Sequence, residues 1–162
     1  PYDNYTRYIR ITDIEEFGIL STQSVSAKET ESKYLLKYGD FLLARTADPG
    51  RAYYYQNQDG RCIYAGYLIK FELDMSKVLP EFLFFFTQTK EFKSWIGQTT
   101  RKGTLSNINS QEFSNMRVPL YSIDEQQKII NDISYYRELL TETRNNLSSC
   151  LDLHSSVINQ IF

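Results

Sequence analysis

Tyr67-Leu68-Ile69-Lys70-Phe71 is followed, past a polar stretch, by Pro80-Glu81-Phe82-Leu83-Phe84-Phe85-Phe86. The first run is rich in β-formers and reads as a strand. In the second, proline stands at the start of a helix, where its missing N–H costs nothing. Phe82, Phe85, Phe86, Thr89, Phe92 and Ile96 then share one face at a period of about 3.6 residues. A switch from period two to helical period puts strands first and helices after. The pattern predicts an α+β fold: a twisted, mostly antiparallel sheet with packed helices.

Working back from that switch, Tyr8-Ile9-Arg10-Ile11-Thr12-Asp13-Ile14 alternates large β-formers with polar groups, as a half-buried strand does. Residues 21–33 interrupt it and read as a loop, with room for a helical turn. Gly39-Asp40 turns the chain into Phe41-Leu42-Leu43-Ala44, a continuous apolar run suited to a fully buried strand. Pro49-Gly50 marks a turn before Ala52-Tyr53-Tyr54-Tyr55. Asp59-Gly60 is the strongest hairpin signal in the chain and leads into Cys62-Ile63-Tyr64.

Working forward, the helix is expected to give way at Gly97 to a basic loop, Gln98-Thr99-Thr100-Arg101-Lys102-Gly103-Thr104. Asn109 with Glu112 suggests a short capped helix. Ser122 with Glu125 forms a capping box ahead of a long one. In a heptad frame, Ile133, Leu140, Leu147, His154 and Ile161 take the a positions. Ile129, Tyr136, Thr143, Cys150 and Val157 take d, and Leu139, Leu151, Leu153 and Ile158 widen the stripe. A helix of about 38 residues spans about 57 Å at about 1.5 Å per residue, longer than a small domain is wide. Its stripe therefore requires a second helix, and His154 is expected as a polar residue setting register in that seam.

The chain has 162 residues and a net charge of −2 at pH 7. That overall charge does not suggest a nucleic-acid binder, but residues 41–70 and 91–118 each carry more Lys and Arg than Asp and Glu. The 13 tyrosines and 10 phenylalanines favour a core that shades into wet interfaces. Cys62 and Cys150 stand far apart without metal-ligand spacing, as expected in a reducing compartment. No run of about 18 apolar residues suggests a membrane span. The chain opens at Pro1 without a signal peptide, so it reads as a piece of a cytoplasmic protein.

The search for bond chemistry is negative. No Gly-rich cofactor loop or Asn/Asp-Pro-Pro-aromatic segment of a methyltransferase is present. Arg101-Lys102-Gly103-Thr104 lacks the first glycine and the strand of a phosphate-cradling loop. Asp74 with Glu91-Phe92-Lys93 has the spacing of a metal-dependent nuclease, but Glu91 falls in the expected helix, and Glu-x-Lys triplets are frequent on solvated helix faces. What remains is a set of loop residues able to read DNA. Arg45-Thr46 follows the buried strand, and Arg51, Tyr53 and Tyr54 follow the Pro-Gly turn. Arg101, Lys102, Thr104, Ser106 and Asn107 share the second basic segment. Arg can fork onto guanine, Asn onto adenine, and Thr onto base or phosphate, while Lys and Tyr more often meet phosphates. Arg45 is the expected base contact and Lys102 the expected phosphate contact. Polar loops of a protein-binding adaptor, dimerised through the same helix, would look much alike.

Five stretches in order resemble the target recognition domain of the specificity subunits of type I restriction-modification systems. They are Tyr8–Ile14; Gly39–Thr46 with Pro49-Gly50; Pro80-Glu81-Phe82-Leu83; Gly103–Ile108; and Arg117-Val118-Pro119-Leu120 with Glu125-Gln126-Gln127-Lys128-Ile129. The resemblance implies a DNA-reading domain over 1–120 and a pairing helix over 121–162. It implies two recognition domains per full subunit, each reading half of a split site, held apart by antiparallel helices. The partners it implies are double-stranded DNA, a modification subunit, a restriction subunit, and a second half-subunit or second copy. S-adenosylmethionine, ATP and Mg²⁺ would belong to those partners, with no cofactor on this chain. This chain has one recognition domain and one helix where the full subunit has two of each.

Overall fold

Residues 5–27, 31–101 and 107–161 are described by the structure, a computed structural model, with the side chains of Glu16, Arg101, Gln160 and Ile161 outside that description. Its strands are β1 (Arg7–Ile9), β2 (Phe41–Ala44), β3 (Ala52–Tyr54), β4 (Cys62–Tyr64) and β5 (Leu68–Phe71). The helices are α1 (Pro80–Thr87), α2 (Lys90–Arg101), α3 (Ser110–Ser114) and α4 (Ile123–Ile161). Contacts divide the chain into two units, residues 1–126 and 127–162.

The apolar run is the central strand, as its composition requires. β2 pairs antiparallel with β3 on one side and β5 on the other, with Leu42 opposite Tyr53 and Lys70. All four residues of β2 are buried because both faces of the sheet are covered. Leu42, Ala44 and Tyr53 join a core cluster with Ile9, Ile11, Ile14 and Cys62. On the other face, Tyr54 meets Phe84 of α1, and Phe71 meets Phe113 of α3 edge-on. Edge-to-face and tilted ring pairs continue through Phe86, Phe92 and Trp95 to Phe113. Such pairs contribute about 0.5–1.5 kcal/mol each beyond their burial.

Four local expectations are corrected. The strand expected over Tyr8–Ile14 ends at Ile9 and becomes a 3₁₀ turn over Ile11–Asp13. Buried Asp13 causes this: its carboxylate accepts from the Arg10 backbone N–H and guanidinium, curling the chain. Asp59-Gly60 is not a hairpin turn. β3 belongs to the antiparallel sheet, whereas β4 pairs parallel with β1 in a separate two-stranded sheet. Asp59 acts through its side chain, accepting from Tyr53 Oη at 2.7 Å and from the Gln56 N–H at 3.2 Å, so the chain coils instead of reversing.

The single amphipathic helix from Pro80 is two helices. Thr87 Oγ1 turns back to the Phe84 carbonyl, and Thr89 Oγ1 accepts from the Phe92 N–H, so one hydroxyl closes α1 and the other caps α2. Residues 82–87 are all buried, so α1 is covered all round rather than along one stripe. α2 runs through Gly97 to Arg101, placing Gln98, Thr99 and Thr100 in a helix and not in a loop. Its buried Phe92 and half-buried Trp95, Ile96 and Thr99 keep the helical spacing, which outweighs one glycine, a cost of about 1 kcal/mol.

Both capping boxes form. Asn109 and Glu112 exchange bonds at 2.8 and 2.9 Å. Glu125 accepts from the Ser122 N–H and hydroxyl, and the Ser122 hydroxyl accepts from the Glu125 N–H. These bonds hold the Glu125 carboxyl below its ordinary range. Gln126 is wholly buried: its Oε1 accepts from the Leu79 N–H, and its Nε2 donates to the carbonyls of Lys77 and Tyr121. Without a side-chain cap on α1, that amide satisfies a donor at the helix start.

Candidate nucleic-acid interface

Parallel strands leave a sheet at the same end, and here that end collects polar side chains. Ile9 of β1 lies opposite Tyr64 of β4, and the Ala65 N–H donates to the Ile9 carbonyl. The residues that follow, Arg10 after β1 and Tyr67 shortly after β4, therefore emerge together. The exit of β2 is tied to the same place. The Arg45 N–H donates to the Tyr67 carbonyl at 3.0 Å, and the Ile108 N–H donates to the Arg45 carbonyl at 2.9 Å. Arg45 Nε then donates to Asn107 Oδ1 at 3.0 Å across 62 residues of sequence. Arg45 and Asn107, placed on separate segments by the sequence, form one hydrogen-bonded polar pair.

The remaining sequence-derived residues fall differently. Thr46 and Arg51 lie in the loop joining β2 and β3, closed by bonds from Gly50 N–H to Ala44 O and from Ala44 N–H to Arg51 O. Gly50 has φ +89°, and a Cβ there would lie 2.8 Å from Ile96 and 2.9 Å from Phe92, so this turn requires glycine. Arg51 Nε donates to the Asp48 carboxylate and its Nη1 to the Ile14 carbonyl, so this arginine holds the loop in place. Tyr53 is corrected to a core residue: it is 1% exposed, its hydroxyl is engaged by Asp59, and it cannot reach a ligand. Tyr54 is half-buried against Phe84. Arg101 ends α2, while its side chain and all of Lys102, Thr104 and Ser106 lie outside the described residues. With them lies most of the stretch from Gly103 to Ile108.

Sequence reasoning did not select Arg10 and Tyr67, which share the edge with Arg45. No local signal could have found them, because a parallel pairing between distant strands leaves no mark in either strand. Asp13 binds the Arg10 guanidinium in a two-point contact, to Nε at 3.0 Å and Nη2 at 2.6 Å. That hydrogen bond, offset in part by burial, raises the guanidinium's proton affinity. Burial, aided by the neighbouring Tyr8 and Asp13, pushes the Tyr67 hydroxyl up, while Arg10 pulls it down. Tyr67 thus remains a donor at neutral pH.

Burial pushes the Cys62 thiol up to about 11, away from the thiolate range. Glu91 and Lys93 are exposed on α2, not on a strand, so the nuclease-like triplet lies on a helix. Among the described residues, no three His, Cys, Asp or Glu side chains cluster as metal ligands. No helix among them is long and apolar enough to cross a membrane.

The second unit is one uninterrupted helix over most of its length. Ile129 and Ile133 are half-buried. Tyr136, Leu140 and Leu147 are exposed, as are Leu139, Leu151, Leu153, Val157 and Ile158, and His154 is exposed among them. Ile161 closes the helix with its side chain outside the described residues.

A family model described as the type I restriction modification DNA specificity domain matches residues 2–149. The chain belongs to this family. Two solved structures share the fold of this specificity domain. One is the HsdS subunit from Thermoanaerobacter tengcongensis, at TM-score 0.69 and 20% identity. The other is a chain solved in work on complex assembly and conformational transition of the type I R-M system, at TM-score 0.69 and 18% identity. Each alignment covers 86% of this chain and 37% of the other. The specificity domain here thus spans little more than a third of either. No curated protein matches its sequence.

Proposed function

We propose that this chain reads one half of a split double-stranded DNA site, as a specificity subunit or half-subunit of a type I restriction-modification complex. The observation that carries the reading is the Arg45–Asn107 pair, a guanine-type donor and an adenine-type amide brought to one polar edge in a member of a DNA specificity family. The chain performs no bond chemistry in this reading. It positions a modification subunit that flips and methylates a base and a restriction subunit that cleaves. A reader that grips the duplex is thereby separate from the body that extracts a base. S-adenosylmethionine, ATP and Mg²⁺ belong to those partners, and the complex works in the cytoplasm. The exposed stripe of α4 pairs with a second helix, from another copy or from another half of the same subunit.

Binding of the full chain to random-sequence duplex DNA, alone and with the modification subunit, tests the reading. Affinity should fall steeply as salt rises, because phosphate contacts release counterions. Flat, salt-independent behaviour, with capture of protein instead, would favour the adaptor reading. Purified chain with S-adenosylmethionine, ATP and Mg²⁺ should neither methylate nor cut DNA.

A further inference from the structure

We propose that Arg10 and Tyr67 form a second, preset contact of the DNA-reading edge, directed at a phosphodiester of the backbone beside the bases that Arg45 and Asn107 address. The inference rests on the DNA-reading function proposed above. Its ground is topological. The parallel β1–β4 pairing delivers Arg10 and Tyr67 to one end of the two-stranded sheet, and the bond from Arg45 N–H to Tyr67 O fixes that end against the reading arginine.

The chemistry of the two side chains suits a phosphate better than a base. Two-point pairing with Asp13, itself 3% exposed at the side chain, locks the Arg10 guanidinium in one orientation while 36% of the side chain stays open. An arginine oriented by a buried carboxylate gives up little rotamer entropy on binding. The carboxylate takes the Nε proton and one Nη2 proton, leaving the Nη1 donors and the second Nη2 proton of Arg10 for an acceptor. Those remaining donors match the several lone pairs of a phosphodiester, the group that most protein–DNA hydrogen bonds address. Tyr67, 38% exposed, adds a neutral hydroxyl donor, and tyrosine typically contacts the backbone rather than base edges. Arg10 and Tyr67 would therefore set register, and Arg45 with Asn107 would carry sequence information.

The test compares the full chain with Arg10→Gln, Tyr67→Phe and Arg45→Ala, measuring fluorescence anisotropy with random and with selected duplexes over a salt series. Tyr67→Phe should weaken binding about 3- to 10-fold on every sequence alike, with the salt slope unchanged, because a neutral hydrogen bond is lost. Arg10→Gln should weaken binding and lower the salt slope by about one. Arg45→Ala should instead relax preference at one base position. Thermal melts by circular dichroism identify any variant that fails to fold, and Tyr67→Phe carries the test if Arg10→Gln does not survive. If Arg45→Ala weakens binding while Tyr67→Phe and folded Arg10→Gln do not, the phosphate contact is overturned and the DNA-reading function stands. If either variant changes base preference, the contact is to a base and the proposal fails. If the parent chain shows no salt-dependent binding with or without the modification subunit, both readings fall together.

Discussion

At the scale of the residue, burial separates side chains that composition groups together. Tyr53 and Tyr54 are neighbours of the same type in a strand, yet one lies in the core bonded to Asp59 and the other packs on Phe84. Replacing Tyr53 by Phe should lower stability by about 1 kcal/mol and leave DNA affinity unchanged. Burial holds the Tyr53 hydroxyl neutral well above its ordinary value of 10.0. Above that pH the unfolded chain loses a proton that the folded chain keeps, so stability falls as pH rises. Below it, the contribution is fully present. Tyr53→Phe should accordingly make the alkaline decline shallower in urea titrations at pH 9 to 11, and an unchanged slope would place the effect elsewhere. Arg45 belongs to the other class. Arg45→Ala should cost about 1–3 kcal/mol of DNA binding and relax specificity at one position, with no change in melting, as read from affinities over a set of single-base variants.

At the scale of the element, side-chain hydrogen bonds decide where helices and turns begin and end. Thr87 and Thr89 divide what periodicity reads as one helix, because hydroxyls can offer a backbone carbonyl or N–H an alternative partner. Asp13 and Asp59 curl the chain where alternation and an Asp-Gly pair suggest extension and reversal. Gln126 shows the same effect at longer range: one amide serves three backbone groups, on residues 77, 79 and 121. Gln126→Leu should keep the volume and lose those bonds, lowering stability by about 1–3 kcal/mol in urea unfolding. A midpoint equal to the parent's would mean that solvent already serves these groups.

At the scale of the whole molecule, the apolar stripe of α4 requires a cover. Leu140, Leu147 and Leu151 are each more than half exposed, and soluble proteins rarely leave a large contiguous apolar patch in water. Antiparallel pairing of two such helices would place two reading domains about a two-fold axis, and a symmetric pair would read an inverted repeat with a fixed gap. Leu140→Glu with Leu147→Glu should convert the associated form to a monomer in sedimentation while the first unit keeps its circular dichroism. A parent that is monomeric at high concentration would mean that the stripe serves another half-subunit or the modification subunit instead.

Local patterning was enough for the elements whose cause is local. The continuous apolar run of β2, the Pro80 helix start and the two capping boxes all depend on residues within a few positions of one another, and a sequence displays those directly. The length of α4 and its exposed stripe were legible for the same reason, since helical period needs no distant partner. Tertiary structure alone decided what depends on residues far apart. The parallel pairing of β1 with β4, the meeting of Arg45 with Asn107 across 62 positions and the arrival of Arg10 and Tyr67 beside them have no local signature. Burial belongs to that second group as well. Whether Tyr53 faces a core or a ligand is set by which strands flank β3, because alternation states only that neighbours point to opposite faces.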